Sequence, residues 1–150
     1  MTREPLAARR DLLAAMLDTL VPADGGFPSA AEVALDHVLA IAAASADLEV
    51  LLSSGVDATE AAARAHGVDR FVALGADARE PVLRRVEAAE PEFFDALVRH
   101  AYDGYYSHPA VLACLGVDPR PPQPHGHRVE PRNLPDLGHI RGRGQLYRPA

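Results

Sequence analysis

Histidine is the residue type in this sequence that could most directly support metal chemistry. His125 and His127 are separated by one residue, and His108 and His139 lie on either side of them. A metal centre needs three or four ligands in fixed geometry, with further groups that orient them. The prolines around these histidines predict no helix to hold such ligands. We therefore expect no metal site in this chain. The alternative hypothesis is a stand-alone helical metal-binding protein or enzyme that uses these four histidines.

Nucleophilic catalysis would need an activated side chain, and Cys114 is the single cysteine. One cysteine excludes an internal disulfide and any C-x-x-C metal or haem motif. It lies between Leu112 and Leu115 in a predicted short apolar helix, where a buried, inert thiol is expected. The sequence contains no G-x-S-x-G, P-loop or G-x-G-x-x-G motif. Glu90 and Glu92 stand where acids stabilise the start of a helix. We expect no catalytic and no cofactor-binding residue in this chain.

Tyrosines cluster near the end of a predicted helix. Tyr102, Tyr105 and Tyr106 fall within five residues, and His108 and Pro109 follow them. Tyrosine and arginine are enriched at the centres of protein interfaces. Helical spacing places Tyr102 toward the core, whereas for Tyr106 a place at the edge of the core and a place on a contact surface are both open. We predict that Tyr105, Tyr106 and His108 belong to a partner interface.

The last quarter of the chain differs in composition from the rest. All 15 basic residues are arginines. Residues 1–116 carry 9 arginines and 18 acids, a net charge of −9, and residues 117–150 carry 6 arginines and 3 acids, a net charge of +3. Seven of the 13 prolines also lie in residues 117–150. Because such a segment cannot form its own core, we predict an extended arm that packs on a partner and folds as it binds. The predicted interface residues in this arm are Pro121, Pro122, Pro124, Arg128, Arg141, Arg143, Tyr147 and Arg148.

The elements before the arm are predicted to be helices. A length of 150 residues fits one domain, and 48% hydrophobic residues exclude global disorder. The sequence has no run of about 18 apolar residues, so it predicts no membrane-spanning helix. It has no alternating apolar pattern of useful length, so it predicts no strand. We predict an all-α fold: an irregular bundle of about five or six helices over residues 1–116, with the extended Pro/Arg-rich C-terminal arm over residues 117–150. The acidic charge of the bundle argues against binding to nucleic acid.

Local signals set the predicted ends of the helices. The first ends at Val21, because a proline follows it. A capping box at Ser29–Glu32 starts the second, for which Gly55 is the predicted stop. A similar box at Asp57–Glu60 starts a short third helix that stops near Gly67. Further helices are predicted over Arg79–Ala89, from Pro91 onward, and over Pro109–Leu115. In the helix that starts at Pro91, the residues predicted to face inward are Phe94, Leu97, Val98, Ala101, Tyr102 and Tyr105.

Several segments in order resemble the gluconate 2-dehydrogenase subunit 3 family. Leu17–Asp24 and the following Gly25–Ala30 resemble the start of the family, and Glu92–Leu97, Gly104–Pro109 and Leu115–Gly116 resemble its later part. The ending is similar to that of many shorter members, in Pro121–Pro124, Gly126, Arg141–Gly144 and Tyr147–Arg148. The resemblance covers most of the chain and is weakest over residues 47–75.

The resemblance implies a non-catalytic gamma-type subunit that binds and stabilises a large FAD-dependent sugar or alcohol dehydrogenase or oxidase of the glucose–methanol–choline type. The flavin would then belong to the partner, and the complex would be a hetero-oligomer without direct membrane insertion by this chain. Many members of the family carry a twin-arginine export signal. Here Arg3, Arg9 and Arg10 are not followed by an apolar run, so we expect a cytoplasmic complex.

Overall fold

A computed structural model of the chain describes residues 4–118. Within these residues the protein forms seven α-helices and two 3₁₀ turns and has no β-strand, which confirms the all-α prediction. The helices are α1 Arg10–Leu20, α2 Ala30–Val33, α3 Leu35–Ala44, α4 Ala46–Ala65, α5 Ala76–Ala89, α6 Pro91–Ser107 and α7 Pro109–Cys114, and the 3₁₀ turns are Leu6–Arg9 and Phe71–Ala73. Nearly all of the predicted arm lies outside the described residues, so its boundary with the bundle stays a prediction.

The N-terminal 3₁₀ turn, Leu6–Arg9, is bound to α4 by hydrogen bonds and an ion pair. The backbone N–H of Leu6 donates to Glu49 Oε1 at 2.7 Å. The guanidinium of Arg9 forms an ion pair with Asp57 and donates to the carbonyl of Ser53 at 3.3 Å. The Arg9 side chain is 13% exposed, whereas that of Asp57 is 51% exposed, so water screens the carboxylate side of this ion pair. The N-terminal turn is thereby held against the middle of the longest helix.

A tight hairpin turn joins α1 to α2. α1 ends before Pro22, as predicted, and the backbone groups of Asp24 and Phe27 exchange hydrogen bonds of 3.2 and 2.8 Å. Gly25 and Gly26 between them have φ of 55° and 89°, a left-handed conformation that glycine adopts without strain. We call residues 23–28 the hairpin loop.

The predicted second helix is three helices in the structure. It begins as predicted, because Ser29 and Glu32 form a capping box in which the Ser29 N–H donates to Glu32 Oε2 at 2.8 Å. The chain then leaves helical geometry at Ser45, whose φ and ψ are −136° and 111° and whose hydroxyl caps α4. The prediction of a stop at Gly55 is wrong, and so is the start at Asp57. Both residues lie inside α4, which ends where Gly67 takes a φ of 93°.

α5 begins earlier than predicted. It starts at Ala76 rather than Arg79, so Pro81 stands in its second turn instead of its first. Proline has no N–H to give to the carbonyl of Asp77 one turn before it. Both residues are exposed, so water can reach that carbonyl, which is why the helix continues through the proline.

α6 lies at the centre of the bundle and contacts α2, α3, α4, α5 and α7. It begins with Pro91 in its first turn, as predicted. Its buried stripe is Phe93, Leu97, Ala101 and Tyr105, a spacing of four residues. The predicted stripe is confirmed at Leu97, Ala101 and Tyr105. It is wrong at Tyr102, which is 46% exposed, and Phe93 rather than the partly buried Phe94 is fully buried.

Two glycines bring the neighbouring helices close to α6. A Cβ on Gly55 of α4 would lie 2.0 Å from the ring of Phe93, and a Cβ on Gly104 of α6 would lie 2.9 Å from Cβ of His37 on α3. Neither helix could approach as closely with a larger residue. Every helix supplies side chains to the resulting core, whose largest fully buried members are Phe71, Phe93, Leu6, Leu12, Leu13, Met16, Leu17, Leu52, Leu97, Val38, Val56 and Val82.

Candidate partner-binding surface

The exposed aromatic groups of the described chain include two tyrosines on the outer face of α6. Tyr102 and Tyr106 are 46% and 54% exposed. They stand one helical turn apart, where side chains become neighbours. Their ring centroids are 5.7 Å apart and the ring planes meet at 73°, an edge-to-face contact that stabilises aromatic pairs. We call these two residues the tyrosine pair.

Tyr105 lies beneath the pair. Its ring contacts the Tyr106 ring edge-on, with centroids 5.2 Å apart, and its hydroxyl donates to the carbonyl of Pro28 at 2.9 Å. Burial raises the pKa of the Tyr105 phenol, and the nearness of Tyr106 and Cys114 raises it further. Only 5% of the residue is exposed, which leaves almost no area for a partner. The interface role of Tyr105 stays a prediction. Within the described residues its role is support: it contacts Tyr106 and ties α6 to the hairpin loop.

His108 has a structural task at the junction of α6 and α7. It is half-buried, and its Nδ1 accepts a hydrogen bond from the N–H of Ala110 at 3.3 Å. This contact caps α7, which has Pro109 in its first turn. The half-buried ring stays a predicted interface residue, now with a capping function as well.

The end of α7 is set by Gly116, with a φ of 69°. The N–H of Gly116 donates to Ala113 and that of Val117 to Leu112, at 3.0 and 2.9 Å, which is a Schellman motif. Leu115 and Val117 are 49% and 45% exposed. The motif therefore fixes the direction in which the chain leaves the bundle, and it leaves apolar side chains on the surface there.

Cys114 is exposed, which contradicts the expectation of a buried thiol. The reason is that α7 is short and buries only Val111, so Cys114 lies against the hairpin loop rather than within the core. The thiol donates to the carbonyl of Gly26 at 3.5 Å. An open depression of about 670 Å³ lies here, lined by residues 23–28 of the hairpin loop with Glu32, Ala110 and Cys114. The Glu32 carboxylate is engaged in the capping box of α2.

The remaining predicted site residues cannot be placed. Pro121, Pro122, Pro124, Arg128, Arg141, Arg143, Tyr147 and Arg148 lie outside the described residues, and so do His125, His127 and His139 of the alternative hypothesis. Among residues 4–118, no group of three or more His, Cys, Asp or Glu could hold a metal ion. Over the same residues, no helix is long and apolar enough to cross a membrane.

Sequence comparison identifies the family of the chain. Residues 7–115 match the family model of gluconate 2-dehydrogenase subunit 3, well over half of the chain. The chain belongs to the gluconate 2-dehydrogenase subunit 3 family. Membership indicates a subunit of a multi-subunit dehydrogenase and supports a hetero-oligomer. Neither the comparison with curated proteins nor that with solved structures finds a match.

Within this family member, α6 provides the exposed tyrosine pair. The sequence pattern placed Tyr102 toward the core and left Tyr106 open between the edge of the core and a contact surface. The exposure of Tyr102 was not predicted, because its helical spacing fits the apolar stripe that contains Leu97 and Ala101 as well as it fits the edge of that stripe. A signal was available: the set Phe93, Leu97, Ala101 and Tyr105 repeats every four residues, and Tyr102 is one position off that set.

Proposed function

We propose that this member of the gluconate 2-dehydrogenase subunit 3 family is a non-catalytic small subunit. Its partner would be a large FAD-dependent oxidoreductase of the glucose–methanol–choline type that acts on the CH–OH group of a sugar or another alcohol. The flavin would reside in the partner. The small subunit would bind and stabilise that protein, in a complex that we place in the cytoplasm.

The observation that carries this proposal is the tyrosine pair. Two half-exposed tyrosine rings lie side by side on one helix turn, and tyrosine is enriched in protein interfaces. They lie on α6, which also carries the buried stripe of the bundle, so the rings are presented by a rigid element. The described part of the chain holds a packed helical core beside them, which suits a subunit that binds by its surface.

The arm supplies the second part of the proposed contact. Residues 119–150 carry six arginines, whose guanidinium groups form paired hydrogen bonds with carboxylates and carbonyls. Their many prolines reduce the conformational entropy lost on docking. A flavoprotein partner would therefore meet the tyrosine pair with apolar side chains and the arm with acidic ones.

Co-expression with a candidate flavoprotein of the glucose–methanol–choline type from the same genome tests the proposal. The full-length chain should co-purify with that protein and raise its FAD content and its thermal stability. The double variant Tyr102→Ala, Tyr106→Ala should lose most of the co-purified partner, since exposed aromatic anchors carry much of the binding energy at interfaces. The variant Val50→Ala is the control, because Val50 is 58% exposed and apolar but lies on α4.

Three results would contradict the proposal. They are turnover of a sugar or alcohol by the isolated chain, a partner that loads FAD and stays stable without it, and co-purification unaffected by the double variant. A stoichiometric metal ion in the purified chain would instead favour the alternative, in which the C-terminal histidines bind it.

A further inference from the structure

The open depression between the hairpin loop and α7 has the size of a binding surface. Its volume is about 670 Å³, within the range of about 300–1,000 Å³ that is typical of binding pockets. At Gly25 and Gly26 a Cβ would meet nothing within 4 Å, so another chain has room to approach the backbone of the loop. The small or apolar residues of the lining are Ala23, Gly25, Gly26, Phe27, Pro28 and Ala110.

Hydrogen bonds fix the shape of this depression. Two backbone hydrogen bonds close the tip of the hairpin loop, and at its base the N–H of Ala30 donates to the carbonyl of Val21 at 2.9 Å. From α6, the hydroxyl of Tyr105 holds the carbonyl of Pro28 at 2.9 Å. Because the surface is already ordered, little conformational entropy of this chain is lost when a partner docks on it.

The charged residues that line the depression are both acidic. They are Asp24 and Glu32, and the lining contains no arginine, lysine or histidine. Both residues are exposed, and Oε2 of Glu32 accepts a hydrogen bond from the N–H of Ser29 at 2.8 Å, which fixes the carboxylate in place. Interfaces place opposite charges against each other, which selects the correct partner. The charge of this surface therefore favours a cationic occupant.

Apolar groups border the depression at the end of α7. Leu115 follows Cys114 in the chain and is 49% exposed, and Phe27 of the loop is partly buried against the core. The depression also lies close to the tyrosine pair, because Tyr105, which holds the loop, contacts the ring of Tyr106 with centroids 5.2 Å apart. One partner surface can therefore cover both features.

We propose that this depression receives a segment of the partner subunit that carries an arginine or a lysine among small and apolar residues. The cationic group pairs with the carboxylates of Asp24 and Glu32, and the apolar neighbours of that group pack on Phe27 and Leu115. The inference rests on the proposed function, since the segment belongs to the flavoprotein. It adds to the tyrosine pair a second contact, for which the chemistry of the partner is defined.

The thiol of Cys114 allows a direct test. It lines the depression, is exposed and belongs to the single cysteine of the chain. We expect N-ethylmaleimide to alkylate Cys114 fully in the free chain. In the purified complex with the flavoprotein, mass spectrometry of this chain should find most of the thiol unmodified after the same time.

The outcomes separate this inference from the proposed function. A complex that forms and leaves Cys114 as reactive as in the free chain overturns the inference, whereas the proposed function stands. If no complex forms, both are overturned together.

Charge variants test the nature of the occupant. Asp24→Lys should raise the dissociation constant of the complex at least about tenfold, because a like charge would then face the cationic group. The milder Asp24→Asn should raise it about two- to fivefold, as expected for an exposed ion pair. Asp24 is exposed, so both replacements leave the core in place, which circular dichroism can verify.

Asp69→Lys is the matched control for these variants. Asp69 is also an exposed acid outside the helices, and it does not line the depression. Its replacement changes the net charge of the chain as much as Asp24→Lys does, and it should leave the dissociation constant near that of the wild type. Equal dissociation constants for Asp24→Lys and the control, measured by isothermal titration calorimetry, would overturn the cationic occupant.

Discussion

The hydroxyl group of Tyr105, which lies beneath the tyrosine pair, joins α6 to the hairpin loop. Tyr105 donates to the carbonyl of Pro28 across 77 positions of sequence, and its ring supports that of Tyr106. The acceptor carbonyl belongs to the residue before Ser29, the N-cap of α2. The hydrogen bond therefore links the start of α2 to the C-terminal half of α6.

The variant Tyr105→Phe tests this link. It removes the hydroxyl and leaves the Pro28 carbonyl without that donor, so the free energy of unfolding should fall by about 0.5–1.5 kcal/mol at neutral pH. Urea denaturation followed by circular dichroism measures the change. The exposed Tyr106→Phe is the matched control and should change stability less. Equal effects of the two variants would show that the hydrogen bond contributes no stability.

The same residue predicts a loss of stability in alkali. Burial raises the pKa of Tyr105 above its ordinary value of 10.0, so the folded protein keeps a proton at a pH where the unfolded chain has lost it. The free energy of unfolding then decreases as the pH rises from about 10 through the folded-state pKa. Tyr105→Phe lacks this ionisation, so its deficit relative to the wild type should shrink over that range. A deficit that is constant with pH would contradict this explanation.

Residue types and spacing single out the three tyrosines and His108. Tyr106 is exposed, and its place in an interface stays a prediction. The exposure of Cys114 was not predictable from its apolar neighbours, because it depends on how α7 lies over the hairpin loop. That arrangement comes from a contact between residues 88 positions apart, which local pattern does not encode.

At the scale of elements, capping signals and glycines each predicted some helix ends correctly and others wrongly: the box at Asp57 and the stop at Gly55 are wrong, whereas Gly67 follows the end of α4. The capping box at Ser29 and the proline at Pro91 mark helix starts in the structure, as predicted. The sequence predicts a helix stop at Gly55, but this glycine lies inside α4, where its missing side chain makes room for the Phe93 ring. A glycine needed for packing and one needed for a turn look the same in a single sequence.

Gly55→Ala is therefore predicted to destabilise the bundle. Alanine is the better helix former by about 1 kcal/mol, yet its methyl group would overlap a buried ring, and such overpacking costs about 1–3 kcal/mol. We expect a net loss of stability, measured by thermal or urea unfolding. Gly75→Ala is the control, since a Cβ there meets nothing within 4 Å and its φ of −66° suits any residue.

A second substitution separates packing from other causes. Phe93→Leu removes the ring atoms that meet the new methyl group, so in the double variant Gly55→Ala, Phe93→Leu the two losses should be less than additive. A double variant whose loss equals the sum of the single losses would show that Gly55 and Phe93 do not interact. The pair would then explain nothing about why α4 continues through a glycine.

For the whole molecule, composition predicts two parts with the different roles that we propose: a folded helical bundle and an arm that contacts the partner. The described part is acidic and rich in buried apolar residues, whereas residues 119–150 contain six of the arginines and few large apolar side chains. The all-α class and the family were predictable because they depend on the pattern of many residues at once. The exact number of helices was not, since it depends on single breaks such as the one at Ser45.

The truncation that ends the chain after Asp118 tests this division directly. It keeps Val117, whose N–H closes the Schellman motif on Leu112, so the bundle should retain its helical circular dichroism and unfold cooperatively. It removes the six arginines of the arm, so it should no longer co-purify with the flavoprotein.

A full-length variant with all six of these arginines changed to glutamine separates the effect of charge from that of length. If charge carries the contact, this variant should fail as well, and binding by the wild type should weaken as salt rises. If instead the truncated chain binds the partner with undiminished affinity, the arm has no part in the contact and the tyrosine pair must provide it alone.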